Sequence, residues 1–197
     1  MRGERTRARI LEGALRLFQE KGIAETSMAD IERVAGVSKG ALYFHFASKE
    51  ELALAVLAKA RNEFTAFLRE AFSQGPPRRA FGHFLNMIYR RLSEGDFRTG
   101  CLFGNTAIEV ANRKGPIRDF LEDTFQEWRE ALADVFRRAQ ERGCLSRKIS
   151  PEDMALFVIA ALEGGILLAR LKKDGGPLST VNRILENLLP FDEGGQQ

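Results

Sequence analysis

The sequence predicts an all-α protein of nine helices, and three observations carry that prediction. Apolar residues recur at helical spacing along most of the chain, as in Ile10, Ala14, Leu15, Leu17 and Phe18. Helix caps and stops separate these segments: Ser27, Ser38, Ser48 and Ser150 precede them, and Gly22, Gly36 and Gly143 follow them. No segment carries a convincing strand pattern.

The first helix is expected over 6–21, after a frayed start at 1–5, with Gly22 as its stop and Ile23 tucked beneath it. Ser27 caps a short second helix, Asp30 closes a capping box with it, and Ile31 and Val34 share one side. That helix runs out at Ala35 and Gly36, where glycine can turn the chain in the left-handed conformation. Val37 then plugs the corner and Ser38 caps a third helix to Phe46. Leu42 and Phe46 lie four apart and point inward, which leaves Lys39, Gly40, Ala41, Tyr43 and His45 on the other sides. Gly40 and Ala41 keep the outer face slim, and Lys39 sits by free amides that attract phosphate.

Ser48, Lys49, Glu50 and Glu51 open a fourth helix to about Phe72, striped by Leu52, Val56, Phe64, Phe67 and Leu68. A cation in its first turn, Lys49, opposes the helix dipole, which a nearby phosphate would explain. With no flexible linker before this helix, movement of the body would move the head. Gly75, Pro76 and Pro77 end it, and a fifth helix follows from Phe81 to Leu92. After a polar loop, the sixth covers Cys101 to Ala111. Pro116 starts the seventh, a strut through Phe120, Leu121, Phe125, Trp128, Leu132, Val135 and Phe136 to about Glu141.

The eighth opens at Ser150 and Pro151 and is apolar almost all round from Met154 to Leu171, so burial on several sides is expected. Gly164 and Gly165 in its middle cost roughly 1 kcal/mol each, which implies a close crossing or a bend. Residues 174–177 terminate it, and Ser179 caps a ninth helix with Val181, Ile184, Leu185, Leu188 and Leu189 on its apolar face. The expected division is a helix-turn-helix domain at 1–47, a helical body at 48–190 and a disordered tail at 191–197.

Charge placement narrows the function. Residues 1–49 hold nine Lys or Arg against six Asp or Glu, and the rest holds 21 of each, so the net +3 sits at the amino-terminal quarter. A basic head on a neutral body suits nucleic-acid binding. Cys101 and Cys144 make no disulfide framework, and two histidines give a thin supply of ligands, so neither metal nor cofactor is expected. The amino terminus lacks the apolar run of a signal peptide, and 154–171 contains Glu163 and Arg170 and is short for a membrane span. A cytoplasmic protein without a membrane partner is expected. An enzyme would need a nucleophile motif, a phosphate loop or paired carboxylates, and none is found.

From about Arg9 to Leu57 the chain resembles the DNA-binding domain of the tetracycline-repressor (TetR/AcrR) family. The helix, the Thr26-Ser27 cap, the Ala35-Gly36-Val37-Ser38 turn, the Tyr43-Phe44-His45-Phe46 run and the Ser48-Lys49-Glu50-Glu51 opening come in the family's order. The resemblance implies a homodimer whose heads enter successive major grooves of palindromic double-stranded DNA, usually repressing until a small-molecule effector binds the body. Lys39, Gly40 and Ala41 then meet the groove, Ser38 belongs to the same DNA-binding set, and Thr26, Ser27, Tyr43, His45 and Lys49 meet phosphates. Many relatives carry threonine where Ala41 stands, so a hydroxyl contact is missing here, and alanine can meet a thymine methyl. Tyr43 as a core aromatic and His45 as a surface residue stay open.

The family's last two helices make the dimer, here through Leu156, Ala160, Gly164, Gly165, Leu168, Val181, Ile184, Leu185 and Leu188. Its effector pocket lies among the body helices. Candidates are Phe64, Phe67, Phe84, Met87, Ile88, Phe103, Trp128, Leu132, Phe157 and Ala161, with Asn105, Thr106 and Glu163 as polar partners. Core packing is the alternative for each ring. The apolar lining implies a largely apolar or aromatic effector. Cys101 at a helix start, where free amides stabilise a thiolate, could instead sense electrophiles or oxidants, as some similar regulators do. An inert Cys101 and a ligand-independent or activating DNA-binding protein are the competing readings.

Overall fold

The computed structural model describes residues 2–73 and 75–188, and the described residues form nine helices and no strand. They are α1 (Arg2–Lys21), α2 (Met28–Ala35), α3 (Lys39–His45), α4 (Lys49–Phe72), α5 (Pro77–Ser93), α6 (Leu102–Val110), α7 (Pro116–Glu141), α8 (Pro151–Lys172) and α9 (Gly176–Leu188). The expected tail and Leu189 lie outside the described residues, as does the side chain of Leu188.

Three starts come earlier than the sequence reading placed them. α1 begins at Arg2, so its first turn is helical rather than frayed, and Arg7 lies over the Phe46 ring at 5.2 Å. α5 begins at Pro77 and α9 at Gly176, because proline is tolerated in a first helical turn whose amides lack partners anyway. In α9 the Asp174 carboxylate accepts from the Gly176 amide at 3.2 Å. The left-handed residue that ends α8 is Lys173 (φ 54°) rather than a glycine.

The chain groups into two compact units. One compact unit joins Met1–Glu63 to Cys101–Asp123, and the other joins Phe64–Gly100 to Thr124–Gln197. The first unit therefore contains α6 as well as α1 to α3. Its buried residues include Ile10, Leu11, Ala14, Leu17 and Phe18 of α1, Ile31 of α2, Leu42 and Phe46 around α3, and Leu52, Val56 and Leu57 of α4. The second unit has an aromatic core. Phe64 meets Phe67 at 5.1 Å and Trp128 at 4.4 Å, Phe72 and Phe81 flank Phe84 at 5.3 and 6.3 Å, and Phe81 meets Phe136 at 5.4 Å.

By length and composition α8 could cross a membrane, with a mean hydropathy of 2.0, and burial on several sides is expected of it, one of them against a second copy. Within this chain its apolar residues divide between two faces. Met154, Ala155, Val158, Leu162, Gly165, Ile166 and Ala169 are buried. Leu156, Phe157, Leu167, Leu168 and Leu171 are each at least half exposed. Gly165 sits where α9 crosses: a Cβ there would stand 3.0 Å from Val181 Cγ2.

Candidate nucleic-acid interface

Short helices are poor at holding their own ends, so the construction of the head begins with its caps. Ser27 Oγ accepts from the Asp30 amide at 3.1 Å, and the Asp30 carboxylate accepts from the Ser27 amide at 3.1 Å, which completes the expected capping box. Lys21 and Arg33 donate to the same carboxylate at 2.8 and 2.7 Å. The Lys21 ammonium first, and then the Ser27 donors, hold the Asp30 carboxyl far below the usual carboxylate range. Its stabilising share is complete above that ordinary range and is lost progressively as pH falls from there through the depressed value.

At the other end of α2, Gly36 takes the left-handed conformation (φ 60°, ψ 45°) and its amide donates to Glu32. The Arg9 guanidinium reaches across from α1 and donates to the Ala35 and Gly36 carbonyls at 2.6 and 2.7 Å. The chain then turns into α3, where Ser38 Oγ accepts from the Ala41 amide at 3.2 Å. Leu42 and Phe46 anchor this seven-residue helix, with 1% and 2% exposure.

What α3 leaves outside is a compact edge. Lys39 and Gly40 are exposed, and a Cβ added to Gly40 would meet nothing within 4 Å. Ala41 and His45 are half-buried. Tyr43 is 44% exposed, so it is not a core aromatic. Phe44, which the sequence reading passed over as a site residue, is 84% exposed and packs edge-on against His45 at 5.2 Å. Its signal was present in the spacing: a residue midway between inward Leu42 and Phe46 must point out.

Two expected phosphate contacts are placed differently. Thr26 is fully buried and its hydroxyl donates to the Gly22 carbonyl at 2.6 Å. The Lys49 ammonium donates to the carbonyls of Ile23, Ala24 and Thr26 at 2.8, 3.1 and 2.9 Å. An ammonium has three donors, so those of Lys49 are used within the head. This accounts for a cation in the first turn of α4 without a phosphate: Lys49 satisfies the turn between α1 and α2.

The effector-pocket candidates are not gathered into one unit. Phe64, Phe67, Phe84, Ile88, Trp128 and Leu132 belong to the second unit, where Phe84, Ile88, Trp128 and Leu132 are buried, and Met87 there is half-buried. Beside the Phe64–Trp128 pair, Thr65 donates to Glu127 at 2.8 Å. Phe103, Asn105 and Thr106 stand on α6 in the first unit, with Thr106 donating to the Leu102 carbonyl at 2.8 Å. Ala161 and Glu163 are half-buried, while Phe157 is 52% exposed and belongs to the outer face of α8.

On that face Leu156, Ala160, Gly164 and Leu168 recur every four residues, all exposed, with Ile184 of α9 also exposed. Gly165 and Leu185, expected in the same surface, are buried within this chain. Their side of each helix makes the α8–α9 contact. Val181 is half-buried there. Cys101 caps α6, its sulfur accepting from the Gly104 amide at 3.4 Å.

Comparison with known proteins fits this geometry. Residues 10–56 match the model described as bacterial regulatory proteins, tetR family, and residues 75–185 match the tetracyclin repressor-like C-terminal domain. The HTH-type transcriptional repressor DhaR of Mycobacterium sp. (strain GP1) is 30% identical over 194 residues, covering 95% of this chain and 94% of that protein. The transcriptional regulator AcuR of Cereibacter sphaeroides is 30% identical over 176 residues, covering 88% and 80%. Regulatory protein TetR from Rhodobacter sphaeroides superposes with a TM-score of 0.88 at 28% identity, covering 92% of this chain and 97% of that one. Matched in both its head and its carboxy-terminal region, this chain belongs to the tetR family of bacterial transcriptional regulators.

Proposed function

We propose that this protein is a ligand-responsive transcriptional repressor that binds a palindromic operator as a homodimer and leaves it when a small, largely apolar effector binds the body. The observation that carries the reading is the exposed edge of α3, Lys39, Gly40, Tyr43 and Phe44, presented on a helix fixed at both ends by caps and buried anchors. Lys39 and Ala41 meet base edges, Phe44 offers an apolar contact to a thymine methyl, and Ser27, Tyr43 and His45 face phosphates. The exposed α8 stripe joins two copies about a two-fold axis. Their heads then serve half-sites about 34–36 Å apart, or a multiple of that spacing. The Phe64–Trp128 cluster supplies apolar surface for the effector.

The test is selection of bound sites from genomic fragments, followed by titration of the operator complex with aromatic and apolar compounds drawn from the chemistry of neighbouring genes. Release by one of them at a saturable site is expected. A protein that holds the operator equally through every such titration is a ligand-independent binder, and one that prefers no fragment over bulk DNA is not a repressor of this kind.

A second reading is favoured by the Cys101 cap, whose sulfur already accepts an amide hydrogen bond. On this reading, electrophiles that alkylate Cys101 release the operator. Alkylation of Cys101 near neutral pH should then outpace that of an unfolded peptide of the same sequence. Equal rates would remove it.

A further inference from the structure

We infer that Glu109 of α6 is a positioning residue for DNA binding, acting through the turn that joins α1 to α2. The inference rests on the DNA-binding role proposed above. The turn runs from Gly22 to Thr26 and leads directly into the Ser27 capping box. Glu109, more than 80 residues further along the chain, brings its carboxylate to the amide side of the turn: Ile23 donates to one oxygen at 3.1 Å and Ala24 to the other at 2.8 Å. Lys49 holds the carbonyl side through Ile23, Ala24 and Thr26. Five backbone groups of one turn are thus gripped by two side chains of opposite charge, from α6 and from α4. Each bond has an ionised partner, the stronger kind.

Gly22 makes the carboxylate's approach possible. It has φ +88°, which side chains rarely adopt, and a Cβ there would collide with Glu109 Oε1. Such a fit leaves the turn little freedom to shift without breaking both amide bonds. α2 begins at Met28, directly after the turn and its Ser27 cap, and α2 with its Gly36 corner sets the aim of α3. The place of the carboxylate therefore governs how the recognition helix is presented. α6 also carries Phe103, Asn105 and Thr106, so a displacement of α6 reaches the head through Glu109.

The experiment compares the wild-type protein with Glu109→Ala and Glu109→Gln, each as the full chain. Three quantities are read: exchange of the Ile23 and Ala24 amides by NMR, affinity for the genomically selected operator and for random duplex, and thermal unfolding. Glu109→Ala should speed exchange at these two amides and weaken operator binding, each by about tenfold, in a protein that still unfolds cooperatively. Glu109→Gln keeps the shape and an acceptor oxygen and should fall between the two. Unchanged protection of Ile23 and Ala24 in Glu109→Ala, or freed amides with unchanged operator affinity, would overturn the inference. Failure of the wild type to bind any duplex would sink the DNA reading itself, a separate result from a variant that matches a binding wild type.

Discussion

Leu168→Glu is expected to yield a folded monomer that no longer holds its operator. Leu168 is half exposed in a stripe running from Leu156 through Ala160 and Gly164 to Leu171, and it is not among the buried core residues of the chain. Across a two-fold contact the substitution places two carboxylates close to one another in an apolar surface. Burying each without a partner costs several kcal/mol, of the order of about 2–7 for an uncompensated polar group and more for a charge. Once the copies separate, each head binds its half-site alone, and the gain from linking two sites, about 10²–10⁴ in apparent affinity, is lost. Light scattering after size exclusion and fluorescence anisotropy on an operator fragment read the two effects. A dimer at unchanged concentration would refute the assignment of this face.

Lys39→Ala should change which sequence is bound as well as how tightly. Lys39 is the first residue of α3 and exposed, with Gly40 beside it adding no bulk. A groove contact of this kind contributes about 1–3 kcal/mol of discrimination per base pair. Repeating the site selection with the variant should show a relaxed position in each half-site, and an unaltered consensus would move Lys39 off the groove. Lys49→Ala makes the contrast. Since its ammonium is held by three carbonyls, its loss should lower thermal stability while leaving the salt slope of DNA binding unchanged.

The head was legible in the sequence because its signals are local. A capping box spans Ser27 to Asp30, a left-handed glycine stands at Gly36, and inward anchors recur at Leu42 and Phe46, all within 20 residues. The roles of Thr26 and Lys49 were misjudged because their partners are backbone carbonyls, which leave no trace in residue type. Glu109 was invisible for the related reason that its partners are amides more than 80 residues away. In α8 the composition shows an apolar helix without showing which of its faces this chain itself covers. Residue type alone does not say which apolar face meets α9, and the close approach of Val181 to Gly165 marks that face. For the pocket candidates, helical spacing places a ring on a face without saying which neighbour that face meets.

The recognition helix has seven residues, fewer than two full turns beyond its caps. At that length an isolated peptide does not pay back its own nucleation in water, so a synthetic 38–46 segment should be disordered and indifferent to DNA. On the proposed reading the groove is met with borrowed rigidity: the aim of Lys39 and Phe44 belongs as much to Arg9 and the Gly36 corner as to α3 itself. Drift in operator choice among descendants of this chain would then be expected to leave its mark on α1, well away from any base.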